Sequence, residues 1–238
     1  TVAEMEAAGY KPNQWVYEML QSGHKSFYKL ESGKRVYYDI PSKSYKKIPG
    51  KDAFIILENL AGNVVWKNAE SRINDLGDGV INFSWHSKSY TLGTSVMEGL
   101  NKAIDLAEKD FRGLVVGHQG ADFSLGANLG LVFMYAIEQD YDELDFMVRA
   151  FQNSTMRIRY SSIPVAVCPQ SRTLGGGCEM TLHADIAQAA AETYIGLVEV
   201  GVGLIPGGGG TKELTKRASD RFQEEAVELN ALQNACMI

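Results

Sequence analysis

The chain has 238 residues, 45% of them hydrophobic and 22% charged, and a formal net charge of −6. That composition belongs to a globular chain long enough to bury a core, and its acidic balance argues against the basic face that nucleic acid or an anionic membrane surface requires. No apolar run approaches the roughly 20 residues of a membrane span, and no signal-peptide pattern opens the sequence. The three cysteines, Cys168, Cys178 and Cys236, lack metal-ligand spacing and suit a reducing, cytoplasmic compartment.

Residues 1–75 read as an opening region without recognisable chemistry. Val2 and Met5 mark the tail of a helix stopped at Gly9. Pro12 starts a second helix, which carries Trp15, Val16, Met19 and Leu20 and closes around Gly23. Phe27–Leu30 and Val36–Ile40, split by Glu31-Ser32-Gly33-Lys34, form a predicted β-hairpin. The lysine-rich stretch Ser42–Lys47 reads as solvated surface rather than a phosphate site. Phe54–Leu57 is expected as a strand, and Val64–Asn68 as a short segment before a new unit.

From Leu76 the pattern changes, and residues 76–238 read as a second domain. Gly77-Asp78-Gly79 is a turn into Val80–Trp85, which alternates like a strand. Thr94 is placed to cap a helix whose Val96, Met97, Leu100, Ala103, Ile104 and Ala107 share one face. Gly113–Gly117 and Ile163–Cys168 are predicted buried strands, with helical segments between them up to Arg159. Strand alternating with helix makes the class α/β, with short parallel strands. The sequence begins at Thr1 in a helical pattern and stops inside an apolar-periodic run (Val227, Leu229, Leu232), so a fragment of a longer protein is expected.

Leu174–Gly210 holds the densest chemistry. Gly175, Gly176 and Gly177 lead into a helical segment with Met180, Leu182 and Ala184, where main-chain N–H groups are unpaired and the helix dipole adds positive charge. Glycine lets a ligand approach such groups, which makes half of an oxyanion hole. Gly126-Ala127, another glycine–small pair after a strand and loop, is a candidate for the other half. Taken singly, each pair reads more readily as a turn. Glu179 and Glu199 both stand among Leu, Val and Gly, where carboxylates are seldom found unless paired or functional.

Other motifs carry less. Gly207–Gly210 runs into Thr211-Lys212-Glu213 and so fails as a phosphate-binding Walker loop, and Pro206 occupies the third-glycine place of a dinucleotide fingerprint after Gly201 and Gly203. The run reads either as a flexible turn or as a loop that a ligand approaches. His86, His118 and His183 lack ligand spacing and read as structural. Leu129, Leu131, Val132, Phe133 and Tyr135 read as a helix's core face rather than an acyl pocket.

Together, Phe123-Ser124-Leu125-Gly126-Ala127-Asn128-Leu129, Leu174-Gly175-Gly176-Gly177-Cys178-Glu179-Met180 and the stretch Glu199–Thr211 resemble the crotonase (enoyl-CoA hydratase/isomerase) superfamily over about Leu76–Leu214. Ser26-Phe27-Tyr28 and Asp75-Leu76-Gly77-Asp78-Gly79 are similar to the connecting region of bifunctional 3-hydroxyacyl-CoA dehydrogenase/enoyl-CoA hydratase proteins of fatty-acid β-oxidation. The resemblance implies an α/β fold with a crotonase-like ββα spiral core, incomplete at its C-terminus. A small α+β connecting region over 1–75 precedes it, following a dehydrogenase part absent from this chain.

The resemblance further implies hydration of trans-2-enoyl-CoA to 3-hydroxyacyl-CoA. The backbone N–H groups of Ala127 and Gly176 would hold the thioester oxygen, with Glu179 assigned to the water and Glu199 to the α-proton. Two carboxylates in one apolar pocket can hold opposite protonation states. Lys88, Gly126, Asn128 and Gly175 would contact the substrate or its CoA portion. The implied partner is an acyl-CoA, without nucleic acid or membrane; no cofactor is expected in this fragment, NAD belongs to the dehydrogenase part, and the full-length protein would form a homo-oligomer. Keeping both glutamates favours a hydratase over a double-bond isomerase; an inert CoA-ester-binding scaffold, its site incomplete at the C-terminus, is the non-enzyme alternative. Asn128 replaces the family's usual Asp, and Leu197-Val198 replace the Gln-Pro of many hydratases, which alters the adenine end and the pocket.

Overall fold

The computed structural model describes residues 2–31, 34–50 and 54–222. Ser32 and Gly33 of the expected hairpin turn, the run Val227, Leu229 and Leu232, and Cys236 lie outside the described residues. The chain divides into two units, Thr1–Gly62 and Asn63–Ile238. The boundary therefore falls earlier than the expected one after residue 75, because the segment after Gly62 already pairs into the sheet of the second unit.

The first unit carries helices α1 (Val2–Ala7) and α2 (Gln14–Gln21), which starts after Pro12, then strands β1 (Tyr28–Glu31), β2 (Lys34–Asp39) and β3 (Ser44–Lys47). The three strands form an antiparallel sheet with β2 in the centre. Its alternate residues Val36 and Tyr38 are buried, as the two-residue period of a strand requires. The basic stretch is thus an edge strand and not merely surface; its lysines remain exposed, and Lys46 Nζ reaches Asp39 Oδ2 at 2.7 Å. Charged edges of this kind block further strand addition. The strand expected over Phe54–Leu57 does not form. Phe54 and Ile55 are exposed and belong to no strand, and Leu57 opens a 3-10 segment instead.

The second unit runs β4 (Val64–Lys67), β5 (Ser71–Gly77), β6 (Val80–Trp85), α3 (Thr94–Asp110), β7 (Gly113–Val116), α4 (Leu129–Glu138) and α5 (Tyr141–Arg159). It continues with β8 (Val165–Val167), β9 (Arg172–Leu174), α6 (Gly176–His183), β10 (Ile186–Ala187), β11 (Tyr194–Gly196) and α7 (Gly210–Phe222). Six strands make one sheet in the order β10-β8-β7-β6-β5-β4. The β4-β5-β6 meander is antiparallel, whereas β6, β7, β8 and β10 run parallel, joined through helical crossovers. A second, two-stranded parallel sheet pairs β9 with β11, and Ser124 bridges to Thr173 of β9.

The three- and four-residue spacing in α3 buries Val96, Met97, Leu100, Ala103, Ile104 and Ala107 in one cluster with Ile73, Ile81, Phe83, Leu114 and Val116 of the sheet. Each large side chain fully buried there stabilises the fold by about 1.5–3 kcal/mol. The cap of α3 is Gly93, not Thr94: the Met97 N–H donates to the Gly93 carbonyl at 3.0 Å, so Thr94 is already the first helical residue. Nor does α4 supply core, since none of its residues is buried. It packs on α5 rather than on the sheet, and its apolar composition leaves Phe133, Met134 and Ile137 exposed. Among the described residues no helix is long and apolar enough to cross a membrane.

Gly99 shows how closely α3 sits on the sheet: a Cβ there would lie 2.1 Å from Ser71 Oγ and 2.9 Å from Phe83 Cε2. Gly99→Ala is expected to destabilise the chain by about 1–3 kcal/mol, read as a lower urea midpoint at unchanged slope. An unchanged midpoint would mean that β5 moves aside at no cost.

Candidate active site

Two glycine turns face one another beyond the carboxyl ends of β7 and β8, where α/β sheets place their ligands. Gly175 follows β9 with φ 54° and ψ −119°, a conformation that a side chain would strain. Its N–H donates to the Gly196 carbonyl at 2.8 Å. Gly126, at φ +87°, stands opposite: a Cβ on it would be 3.3 Å from the Leu174 carbonyl and 3.6 Å from Gly176 N. The facing arrangement is held by the Leu174 N–H on the Ser124 carbonyl (2.8 Å), the Gly126 N–H on Ser124 Oγ (3.1 Å), and the Leu92 N–H on the Gly126 carbonyl (2.9 Å). Gly176 is the first residue of α6, so its N–H has no carbonyl one turn back. Neither it nor the Ala127 N–H donates to another described main-chain carbonyl outside the helices and strands.

One turn into α6, Glu179 is 2% exposed. Its Oε1 accepts the Gly208 N–H at 2.8 Å and the Gly210 N–H at 3.0 Å. Burial pushes the carboxyl above its ordinary range; the Gly210 and Gly208 amides oppose that shift, and the charge of Glu199 adds to it. Glu199 opens a 3-10 turn after β11, and its Oε1 would be 3.3 Å from a Cβ on Gly175. Burial raises this carboxyl too, and its Oε2 is buried with no hydrogen-bond partner. The site thus has two carboxyls of raised pKa beside the glycine turns, one anchored by main-chain N–H groups and one with an open oxygen. Burial also drives the Cys178 thiol up to about 12, helped by both glutamates, which keeps it a neutral neighbour.

The Gly207–Gly210 run is not a loose turn: it holds the protein's own carboxylate. A Cβ on Gly208 would lie 2.2 Å from Phe151 Cε1 and 2.4 Å from Glu179 Oε2. Helix α5 clamps the run from behind, with Gln152 Nε2 on the Gly207 carbonyl (2.7 Å) and Thr155 Oγ1 on the Gly208 carbonyl (3.2 Å). Phe151 also lies against Gly176, where a Cβ would be 3.0 Å from its Cζ. Sequence patterning missed Phe151, Gln152 and Thr155; their only signal was a place on an amphipathic helix. No group of His, Cys, Asp or Glu able to hold a metal occurs among the described residues.

The sequence profile described as enoyl-CoA hydratase/isomerase matches residues 79–235. The chain belongs to the enoyl-CoA hydratase/isomerase family. A Bacillus subtilis protein named as a 3-hydroxyacyl-CoA dehydrogenase is 41% identical over 213 residues, covering 89% of this chain and 27% of that protein. A Rickettsia felis protein named as a fatty acid oxidation complex trifunctional enzyme is 32% identical, covering 74% of this chain and 25% of the relative. The chain therefore spans about a quarter of the length of these relatives. Among solved structures, the enoyl-CoA hydratase of Thermoplasma volcanium aligns with a TM-score of 0.56 at 26% identity, over 69% of this chain and 64% of that one. The crotonase α/β fold is that of the second unit.

Of the residues that the family resemblance singles out, Glu179, Glu199, Gly126, Ala127, Gly175 and Gly176 come together around these turns. Lys88 stays exposed in a 3-10 turn leading towards Leu92. Asn128 is exposed and uses its Oδ1 to cap α4 through the Leu131 N–H at 3.3 Å. His118 Nδ1 accepts from the Gly120 N–H (3.1 Å), which leaves Nε2 to donate to the Phe123 carbonyl (2.9 Å) and makes the ring a brace of the loop before Gly126.

A carboxyl whose folded pKa lies above its unfolded value of about 4.5 holds its proton more tightly when folded. Its contribution is therefore greatest below that value and is lost as pH rises through the folded pKa. Glu179→Gln with Glu199→Gln keeps the shape and an acceptor for the glycine N–H groups. The urea midpoint of the parent, relative to this variant, is expected to fall as pH rises above about 4.5; parallel profiles would refute the raised pKa values.

Proposed function

We propose that the chain hydrates trans-2-enoyl-CoA to 3-hydroxyacyl-CoA. The observation that carries this reading is the pair of carboxyls, Glu179 buried and Glu199 half-buried, set beside two facing glycine turns with free N–H groups. A conjugated thioester accepts water at its β-carbon only if negative charge can gather on the thioester oxygen. The Ala127 and Gly176 N–H groups are the donors for that oxygen, and being fixed in advance they need no reorganisation as charge develops. Gly126 and Gly175 leave the space that a Cβ would close, and Lys88 and Asn128 are the proposed contacts for the CoA portion.

The chemistry balances with water alone. Glu179, held on the Gly208 and Gly210 amides, accepts a proton from the water as its oxygen bonds to the β-carbon. Glu199 delivers a proton to the α-carbon as the enolate charge returns from the thioester oxygen. Mutual repulsion and unequal hydrogen bonding push the two carboxyls apart in acidity, so one can enter as base and the other as acid. No cofactor is needed. Following the names of its relatives, we assign the reaction to fatty-acid β-oxidation, within a longer protein that also carries 3-hydroxyacyl-CoA dehydrogenase activity and its NAD. The free thiols Cys168 and Cys178 fit a reducing, cytoplasmic setting.

Loss of the conjugated-thioester ultraviolet absorbance on mixing with crotonyl-CoA tests this directly. Glu179→Gln and Glu199→Gln are each expected to lower the rate by about 10²–10⁴-fold. Activity surviving both changes would remove the glutamates from the mechanism; a shifted double bond in place of a hydroxyl product would make the chain an isomerase.

A further inference from the structure

Behind Glu179 lies a second buried acid that the hydration chemistry does not use. Glu213, in the first turn of α7, is 1% exposed although its carboxylate is fully engaged. Its Oε2 meets Arg159 of α5 at 2.9 Å, and its Oε1 meets Lys212 Nζ at 2.9 Å. His183 of α6 completes the cluster, with Nε2 at 3.7 Å from Glu213 Oε1. A carbonyl only accepts, so the 2.7 Å contact between His183 Nδ1 and the Glu179 carbonyl puts a proton on Nδ1. Helices α5 and α7 are therefore tied through one carboxylate, with His183 Nε2 of α6 buried beside it and without a hydrogen-bond partner.

The position of this cluster gives it a consequence. The Gly210 N–H that binds Glu179 is the first amide of α7, and the Glu213 N–H closes that same turn on the Gly209 carbonyl at 3.0 Å. A Cβ on Gly209 would be 3.3 Å from the His183 ring. Whatever fixes the start of α7 also fixes the two donors on the Glu179 carboxylate. We propose that Glu213 is a positioning residue for Glu179: by tying α7 to α5 it keeps the Gly208 and Gly210 N–H groups on that carboxylate and so sets its acidity. The catalytic meaning of this rests on the hydratase reading; the link between the two acids does not.

The charged and titratable groups around Glu179 are Cys178 and His183 on its own helix, Glu199 after β11, Glu213, Lys212 and Arg217 on α7, and Arg159 on α5. Arg217 holds α7 to α6 independently, through its Nε on the Leu182 carbonyl at 3.1 Å. Glu213→Gln keeps the shape of the side chain and removes its charge, leaving Arg159 and Lys212 partly exposed to solvent. Two opposite effects on Glu179 then separate. A lost charge acting through space would lower its pKa, whereas looser N–H donors would raise it.

The experiment is a carboxyl ¹³C titration of the full chain, with the Glu179 resonance assigned by Glu179→Gln. In Glu213→Gln its midpoint is expected to rise by about half a unit or more. With crotonyl-CoA, kcat is expected to fall about tenfold while KM stays within about twofold. An unmoved or lowered midpoint overturns the proposal. If Glu213→Gln does not fold, Arg159→Lys, which keeps the positive charge while withdrawing the guanidinium from Glu213, reads the same link from the α5 side, and again only a raised midpoint supports it. A parent chain that leaves crotonyl-CoA untouched, yet shows the raised midpoint in the variant, would sink the hydratase reading and keep this one.

Discussion

A carboxylate buried on two glycine amides is the constraint on which the rest of the site depends. Removing an ion from water costs several kcal/mol even after relaxation. Glu179 offsets that cost by accepting the Gly208 and Gly210 N–H groups at the start of α7, where the helix dipole favours negative charge. The arrangement tolerates little else nearby. Phe151 and the Glu179 carboxylate crowd the position of a Gly208 Cβ, so a side chain there would break the contact it was meant to serve. Loop, phenyl ring and carboxylate form one packed unit.

The oxyanion frame follows a similar logic at a different place. The loops after β7 and β8 leave the sheet side by side because those strands pair in parallel. Ser124 then pairs with β9, which brings Gly126 against Gly175 and Gly176. The main-chain donors are thereby positioned by strand pairing rather than by side chains, and such donors do not swing when charge develops. Glu199 reaches the same point from the other partner of β9, since β11 pairs with β9 up to Gly196, shortly before the turn that carries it.

Local pattern was readable where one physical requirement dominates. The buried face of α3 follows from helical period alone, because a helix on a sheet must be apolar every three or four residues. The isolated acids Glu179 and Glu199 stood out because burial of a charge is costly. The lysine-rich β3 did not stand out, since an exposed edge strand has the composition of surface. Phe54 to Leu57 has the composition of a strand but lies outside the strands, and α4 has that of a core helix but packs on α5 with none of its residues buried. A stretch of sequence shows what it could bury, not what stands opposite.

What the sequence by itself determined is the class of fold, the glycines that leave main-chain N–H groups open, and the two glutamates that make catalysis worth asking about. These are properties of single residues and short periods. Only the tertiary structure decided that the Gly207–Gly210 run serves Glu179, that Glu213, Arg159 and His183 meet behind it, and that the sheet begins at β4. Each of those depends on contacts between residues far apart in the chain, whose geometry is set by packing three helices and two sheets together.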